Sequence, residues 1–271
     1  MSGTFCVSFG ALWTILQGLL GYVKNGLTCP TAGLANASAL ACNHEGGKRV
    51  DIKLHYTESG SGDPLILLHG NGEDGTYFEH QIAYFKCGYR VIAVDSRGHG
   101  KSPRGTAPLT LGQFVRDLAD FMDNLKIDSA HMLGFSDGAN IALLFALEHP
   151  ERVRSLVLNG GNLFPDGLTE QTRREIDEEY QEALAAGDEG QLELLRLMID
   201  EPQIDPSSLA TLRMPTLVIA GTDDMIEERH TRLIAESIPD ARLVFVEGTH
   251  FVASENPEAF NREIDAFLTS I

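Results

Sequence analysis

A serine set between two glycines, Gly134-Phe135-Ser136-Asp137-Gly138, is the pattern with the most chemical promise in this chain of 271 residues. A serine hydroxyl is a weak nucleophile at neutral pH, so it needs a base within hydrogen-bond reach and an acid that orients the base. The residues before it, Ala130–Phe135, form an apolar run that reads as a strand, and those after it, Gly138–Glu148, have helical period. A sharp strand-to-helix turn lifts the hydroxyl clear of a sheet, and the glycines leave room where a side chain would meet the neighbouring strand or helix. Partners of the right type follow in the chain. Strand Pro215–Ala220 leads into Gly221-Thr222-Asp223-Asp224, and strand Arg242–Val246 leads into Glu247-Gly248-Thr249-His250. All three groups leave the carboxyl ends of expected strands, the edge on which open α/β sheets carry their sites.

Nine histidines compete for the role of base. His44 precedes the sheet, His80, His149 and His230 fall in or at the ends of expected helices, and His55 and His131 lie within expected strands. His69 and His99 occupy strand-end loops, yet nothing after them supplies an acid in the order serine, acid, histidine. His250 remains, with Asp224 and Asp223 both open as the acid.

The elements that must position these residues alternate from Lys48 onward. Expected strands at Arg49–Thr57, Pro64–His69, Arg90–Asp95, Ala130–Phe135, Val153–Asn159, Pro215–Ala220 and Arg242–Val246 interleave with expected helices at Tyr77–Phe85, Thr110–Lys126, Gly138–Glu148, Glu227–Ile238 and Pro257–Leu268. Strand and helix in alternation predict an α/β fold with a mostly parallel sheet, and central strands apolar almost throughout predict helices on both faces. Thr110-Leu111-Gly112-Gln113 has the form of a capping box, and Pro257 suits a first helical turn. About fifty-five residues separate strands Val153–Asn159 and Pro215–Ala220, more than a crossover requires. This insertion, about 162–212, predicts a small cap of one or two helices, with Leu184, Leu192, Leu195 and Leu197 as its apolar positions.

The net charge of −18 is unevenly placed. Residues 1–43 carry one charge, Lys24, whereas residues 166–205 hold thirteen acids against Arg173, Arg174 and Arg196. An acidic chain without clustered cations is a poor partner for phosphate backbones, so a nucleic-acid binder is excluded. Four cysteines, Cys6, Cys29, Cys42 and Cys87, are too few for a disulfide scaffold and lack the spacing of a zinc site; they read as free thiols. The uncharged stretch Phe5–Val23, with Gly10, Thr14, Gln17 and Gly21 on one stripe, reads as an apolar helix within an extension over 1–47. It is expected to pack on the body or on a second copy of the chain, with a membrane contact or an uncleaved export signal as the alternatives; otherwise the chain is expected in the cytoplasm.

From Lys48 to its end the chain resembles the α/β-hydrolase family, in particular its small members with a short cap. The resemblance rests on His69-Gly70-Asn71-Gly72, Asp95-Ser96-Arg97-Gly98-His99-Gly100-Lys101-Ser102, the turn at Ser136, Gly221-Thr222-Asp223-Asp224 and Gly248-Thr249-His250. It implies Ser136 as nucleophile, His250 as general base and acid, Asp224 as the orienting acid, and an oxyanion hole from the backbone N–H groups of Asn71 and Asp137. His69, Asp95 and Arg97 resemble structural members of their motifs. The implied reaction is hydrolysis of a small carboxylic ester through an acyl-enzyme, without metal or organic cofactor. The same triad also serves amino-acyl ester or amide hydrolases, thioesterases and carbon–carbon bond hydrolases; a non-catalytic receptor or a membrane-associated interaction protein are the readings from other classes.

Two departures bear on the substrate. The loop Asn71-Gly72-Glu73-Asp74-Gly75 is glycine-rich and acidic, which predicts a mobile oxyanion loop. Asp137 directly follows the serine. Its carboxylate can simply serve the amino end of a helix, or it can select substrates that carry a positive charge. Phe164, at the start of the insertion, is a second candidate substrate contact.

Overall fold

The computed structural model describes residues 51–271. The extension over 1–47, its expected helix and Cys6, Cys29 and Cys42 lie outside them. Seven strands, β1 (Tyr56–Ser59), β2 (Asp63–Leu68), β3 (Tyr89–Val94), β4 (Ala130–Phe135), β5 (Val153–Asn159), β6 (Thr216–Asp223) and β7 (Arg242–Thr249), form one sheet in the order β1-β3-β2-β4-β5-β6-β7. Only β1 runs antiparallel, at one edge. The helices are α1 (Glu79–Phe85), α2 (Leu111–Asn124), α3 (Asp137–Glu148), α4 (Glu170–Ala186), α5 (Glu189–Asp200), α6 (Glu228–Ser237), α7 (Val252–Glu255) and α8 (Pro257–Thr269).

The run Leu65-Ile66-Leu67-Leu68 shows why the central strands are apolar throughout. Successive side chains point to opposite faces, and both faces are covered. Ile66 and Leu68 pack with Phe114 and Leu118 of α2 and with Ile141 and Phe145 of α3. Leu65 and Leu67 pack with Phe85 of α1 and with Phe260 and Ile264 of α8. The register Leu65↔Val91 and Leu67↔Leu133 keeps like faces together across three strands.

The first strand departs from expectation. Pairing begins at Tyr56, opposite Val94, instead of before Asp51. Asp51 instead binds Arg97 at 2.7 Å and accepts from the Thr106 hydroxyl, so polar contacts with the 97–107 loop draw this segment out of the ladder. The expected capping box is half formed: Thr110 Oγ1 accepts from Gln113 N–H at 3.1 Å, while the Gln113 side chain turns to Asp117.

The insertion folds as two antiparallel helices, α4 and α5. Gly187, at φ 67, ends the first with the left-handed residue that suits a helix stop, and Asp188 caps the second through Gln191 N–H at 3.1 Å. Leu168, Ile176, Ala183, Leu192 and Leu195 give the hairpin its own small core, completed by Ile226 from the loop after β6. Leu197 joins the main core instead, and Leu184 is exposed. Among the described residues no helix is long and apolar enough to cross a membrane.

Candidate active site

Ser136 sits where β4 turns into α3, at φ 54 and ψ −121. A non-glycine residue at positive φ costs on the order of 1–3 kcal/mol and persists only where its surroundings hold it. Here the Ser136 N–H donates to the Asn159 carbonyl at 2.8 Å, and its own carbonyl accepts from Ala139 N–H at 2.8 Å. Both flanking glycines are obligatory. A Cβ on Gly134 would stand 2.2 Å from the Gly138 carbonyl oxygen, and one on Gly138 would stand 1.9 Å from that of Leu68.

His250 and Asp224 arrive at the same edge from β7 and β6. Nδ1 of His250 lies 2.6 Å from Oδ1 of Asp224, and both side chains are buried. Burial opposes the charge on Asp224. The facing imidazole and the N–H groups of Ile226 (3.0 Å) and Gly221 (3.3 Å) outweigh it, holding the carboxyl below its ordinary value. Asp223 is exposed at the end of β6 and takes no part in this pair. The His250 ring packs on Phe135, at 4.8 Å between centroids. It also lies over Gly160, where a Cβ would come within 2.7 Å of Cε1. Since Ser136 is bonded to the residue before Gly160, the serine turn and the imidazole share one wall.

Asp137 opens α3, so its N–H is among those that a helix leaves without an internal partner. Asn71 follows Gly70, whose Cα approaches so closely that a Cβ there would lie 3.1 Å from Ser136 Cβ. The loop from Asn71 to Gly75, expected to be mobile, is pinned. Glu73 Oε2 accepts from Gly70 N–H at 3.2 Å, Asp74 caps the following turn through Thr76 N–H, and Asn71 Nδ2 donates to the Leu194 carbonyl of α5 at 2.8 Å. Its acidic residues, the sign of a solvated loop in the sequence, are used as acceptors.

Glu73 was not singled out by its sequence context, because nothing local reveals that it is 9% exposed. Burial, with Asp74 adding to it, pushes its carboxyl up to about 8 against the pull of the Gly70 N–H. The folded value thus lies above the unfolded one of about 4.5. Between these two values the unfolded chain gives up a proton that the fold retains. This contribution to stability is fully present below pH 4.5 and lost as pH rises through 8. Glu73→Gln is therefore expected to be more stable than the parent above pH 8 by about 1–3 kcal/mol, with the advantage fading toward pH 5. Melting temperatures followed across that range check this; parallel curves for the two proteins would refute it.

The other motif residues have structural tasks. Arg97 is fully buried and forks onto Asp117 with two bonds of 2.7 Å. Asp95 gathers Gly75 N–H, Lys101 N–H and His55 Nδ1, each at 2.9 Å. His69 Nε2 accepts from Ser96 N–H while Nδ1 meets the Gly70 carbonyl at 2.7 Å, which fixes a neutral ring; burial lowers it to about 4. His230 accepts from Leu163 N–H at 2.9 Å. Phe164 stacks edge-on against His230 at 4.6 Å and packs on the main core.

Asp137 is the most unusual group at this edge. The residue is 8% exposed, and its Oδ2 has no hydrogen-bond partner. Burial first, then the charge of Glu201, raises its carboxyl to about 6, while Asn140, His250 and Asn71 favour the ionised form. The helix end alone does not satisfy it.

A strained serine at a strand-to-helix turn, with a buried histidine–aspartate pair on the carboxyl edge of a mostly parallel sheet, defines an α/β-hydrolase. The α/β hydrolase fold family matches residues 63–195, just under half of the chain, and the sheet order and helices are those of that fold. A protein of Azorhizobium caulinodans, to which carbamate hydrolysis is provisionally ascribed, is 28% identical over 82% of this chain and 97% of its own length. The 3-oxoadipate enol-lactonase 2 of Acinetobacter baylyi is 28% identical over 80% of this chain and 94% of its own. A solved meta-cleavage product hydrolase of Pseudomonas fluorescens superposes with a TM-score of 0.65 at 25% identity, covering 81% of this chain and 95% of that one.

Proposed function

We propose that this hydrolase cleaves carboxylic esters of small substrates through an acyl-enzyme on Ser136. The observation that carries the reading is the buried 2.6 Å contact between His250 Nδ1 and Asp224, on the edge where Ser136 is held at positive φ. The aspartate fixes the imidazole with its proton on Nδ1 and leaves Nε2 as the base. Ser136 Oγ attacks the ester carbonyl as Nε2 takes its proton. The tetrahedral oxyanion is held by the N–H groups of Asn71 and Asp137, donors of a kind typically worth about 3 kcal/mol of barrier each. Collapse expels the alcohol, which receives the proton from His250. A water activated by the same nitrogen then releases the acid and frees the serine.

The enol-lactonase relative supports the ester class. The meta-cleavage product hydrolase favours a second reading, hydrolysis of a carbon–carbon bond at the same serine. Labelling with an aryl phosphonate tests the nucleophile and a p-nitrophenyl ester series tests the bond. Expected are one phosphonyl group per chain, located on Ser136 by peptide mass and absent from Ser136→Ala, together with ester turnover lost in the same variant. Labelling elsewhere, or ester turnover retained by Ser136→Ala, would overturn the assignment; a labelled serine without ester turnover would favour the second reading.

A further inference from the structure

The loop that carries Asn71 is a four-residue turn. Glu73 N–H donates to the Gly70 carbonyl at 3.3 Å, and Gly72 in third place has φ 74, the left-handed residue that a type II turn requires there. Closing such a turn engages the N–H of its last residue and leaves that of its second, Asn71, for a reacting oxygen. The inner end of the turn is fixed to the body. The Gly70 carbonyl meets His69 Nδ1 at 2.7 Å, Gly70 N–H donates to Glu73 Oε2 at 3.2 Å, and a Cβ on Gly70 would lie 3.1 Å from Ser136 Cβ. The outer side is open: Gly72 is exposed, and among the described residues no atom lies within 4 Å of where its Cβ would be. There the corner is held by its own side chain, since Asn71 Nδ2 donates to the Leu194 carbonyl of α5 at 2.8 Å. The helix is gripped again one residue earlier, where Glu193 takes a fork of 2.8 and 2.6 Å bonds from Arg104. Two side-chain ties, from the loops after β2 and β3, thus seat consecutive residues of α5.

We infer that the Asn71 side chain is a positioning group: it braces the corner of the oxyanion loop against α5, so that the aim of the Asn71 N–H depends on how the cap helix is seated. The inference rests on the hydrolase reading for the task of that N–H. A donor stabilises an oxyanion only when it is already placed about 3 Å from where the charge develops. A corner closed by a long turn bond and unpacked on its outer side drifts from that place unless something outside holds it. The brace therefore acts on the transition state and leaves substrate binding nearly alone, which separates kcat from KM. Through it the hairpin takes part in the chemistry without meeting the reacting atoms.

Asn71→Ala keeps the backbone N–H and removes the brace. It is expected to lower kcat on p-nitrophenyl acetate about tenfold with KM within twofold of the parent, and to slow aryl phosphonate labelling of Ser136 by a similar factor. Glu193→Ala breaks the neighbouring tie and keeps a strong helix former in α5. Alone it is expected to lower kcat about threefold; combined with Asn71→Ala it is expected to add nothing, because α5 no longer reaches the corner. It also serves if Asn71→Ala does not fold. An unchanged kcat in either single variant, a loss confined to KM, or equal losses from Glu193→Ala in both backgrounds overturns the inference. A parent that neither labels at Ser136 nor turns over the ester removes the hydrolase reading and the brace with it. A fully active parent whose variants keep parental rates removes the brace alone, and a parent that labels without ester turnover is judged on the labelling rates.

Discussion

Asp224→Asn is expected to lower kcat about ten-thousandfold, with KM within a few-fold of the parent. The carboxylate accepts from His250 Nδ1 at 2.6 Å, and its remaining lone pairs take the N–H groups of Ile226 and Gly221. An asparagine in this place can turn its oxygen to those amides, and its NH2 group then faces Nδ1. The imidazole answers by moving its proton to Nε2, where it can no longer take one from Ser136. The shape of the pocket survives, which is why KM is spared. Asp223→Asn, one residue earlier and exposed, is the control and is expected to leave kcat unchanged. Steady-state kinetics on a p-nitrophenyl ester decide the matter: a loss under tenfold in Asp224→Asn, or an equal loss in Asp223→Asn, contradicts the pairing.

Gly138→Ala is expected to cost more than about 4 kcal/mol and to leave little soluble protein. The added methyl would stand 1.9 Å from the Leu68 carbonyl oxygen and 2.7 Å from that of His69. Both are backbone atoms, Leu68 within a central strand paired on either side, so neither can move without breaking the sheet. Gly72→Ala is the informative contrast. Gly72 has φ 74 but open space around it, so the methyl meets only the strain of a left-handed residue, about 1–2 kcal/mol. Urea midpoints for the two variants separate clash from conformation. A Gly138→Ala protein as stable as Gly72→Ala would mean that α3 can shift away from β2.

Ser136, Asp224 and His250 were readable because each closes an apolar strand, and strands whose faces are both covered advertise themselves as unbroken apolar runs. The residues alone leave Asp223 and Asp224 open, and only the family resemblance points to Asp224; the turn after the strand places that residue against the imidazole. The first strand was misplaced for a related reason: Arg49–Thr57 alternates well enough for a ladder, but Asp51 is drawn off by Arg97 from 46 residues away. Glu73 and Asp137 were legible as acids and not as buried acids. Glu73 is enclosed by the fold around its own loop and Asp137 meets the charge of Glu201 from 64 residues away, and no local period encodes such burial.

The root of the helical hairpin is stitched to the loop that carries Asp224. Leu168 bridges to Ile226, Thr169 N–H donates to the Met225 carbonyl at 2.9 Å, and Glu227 N–H donates to that of Gly167 at 2.9 Å. Ile226 also supplies the N–H that holds the Asp224 carboxylate and a side chain of the hairpin core. The helical hairpin and the carboxylate that meets the imidazole are therefore parts of one mechanical element. Substitutions on α4 and α5 that disturb Leu168 or Ile226 are expected to shift the Asp224–His250 contact through this seam.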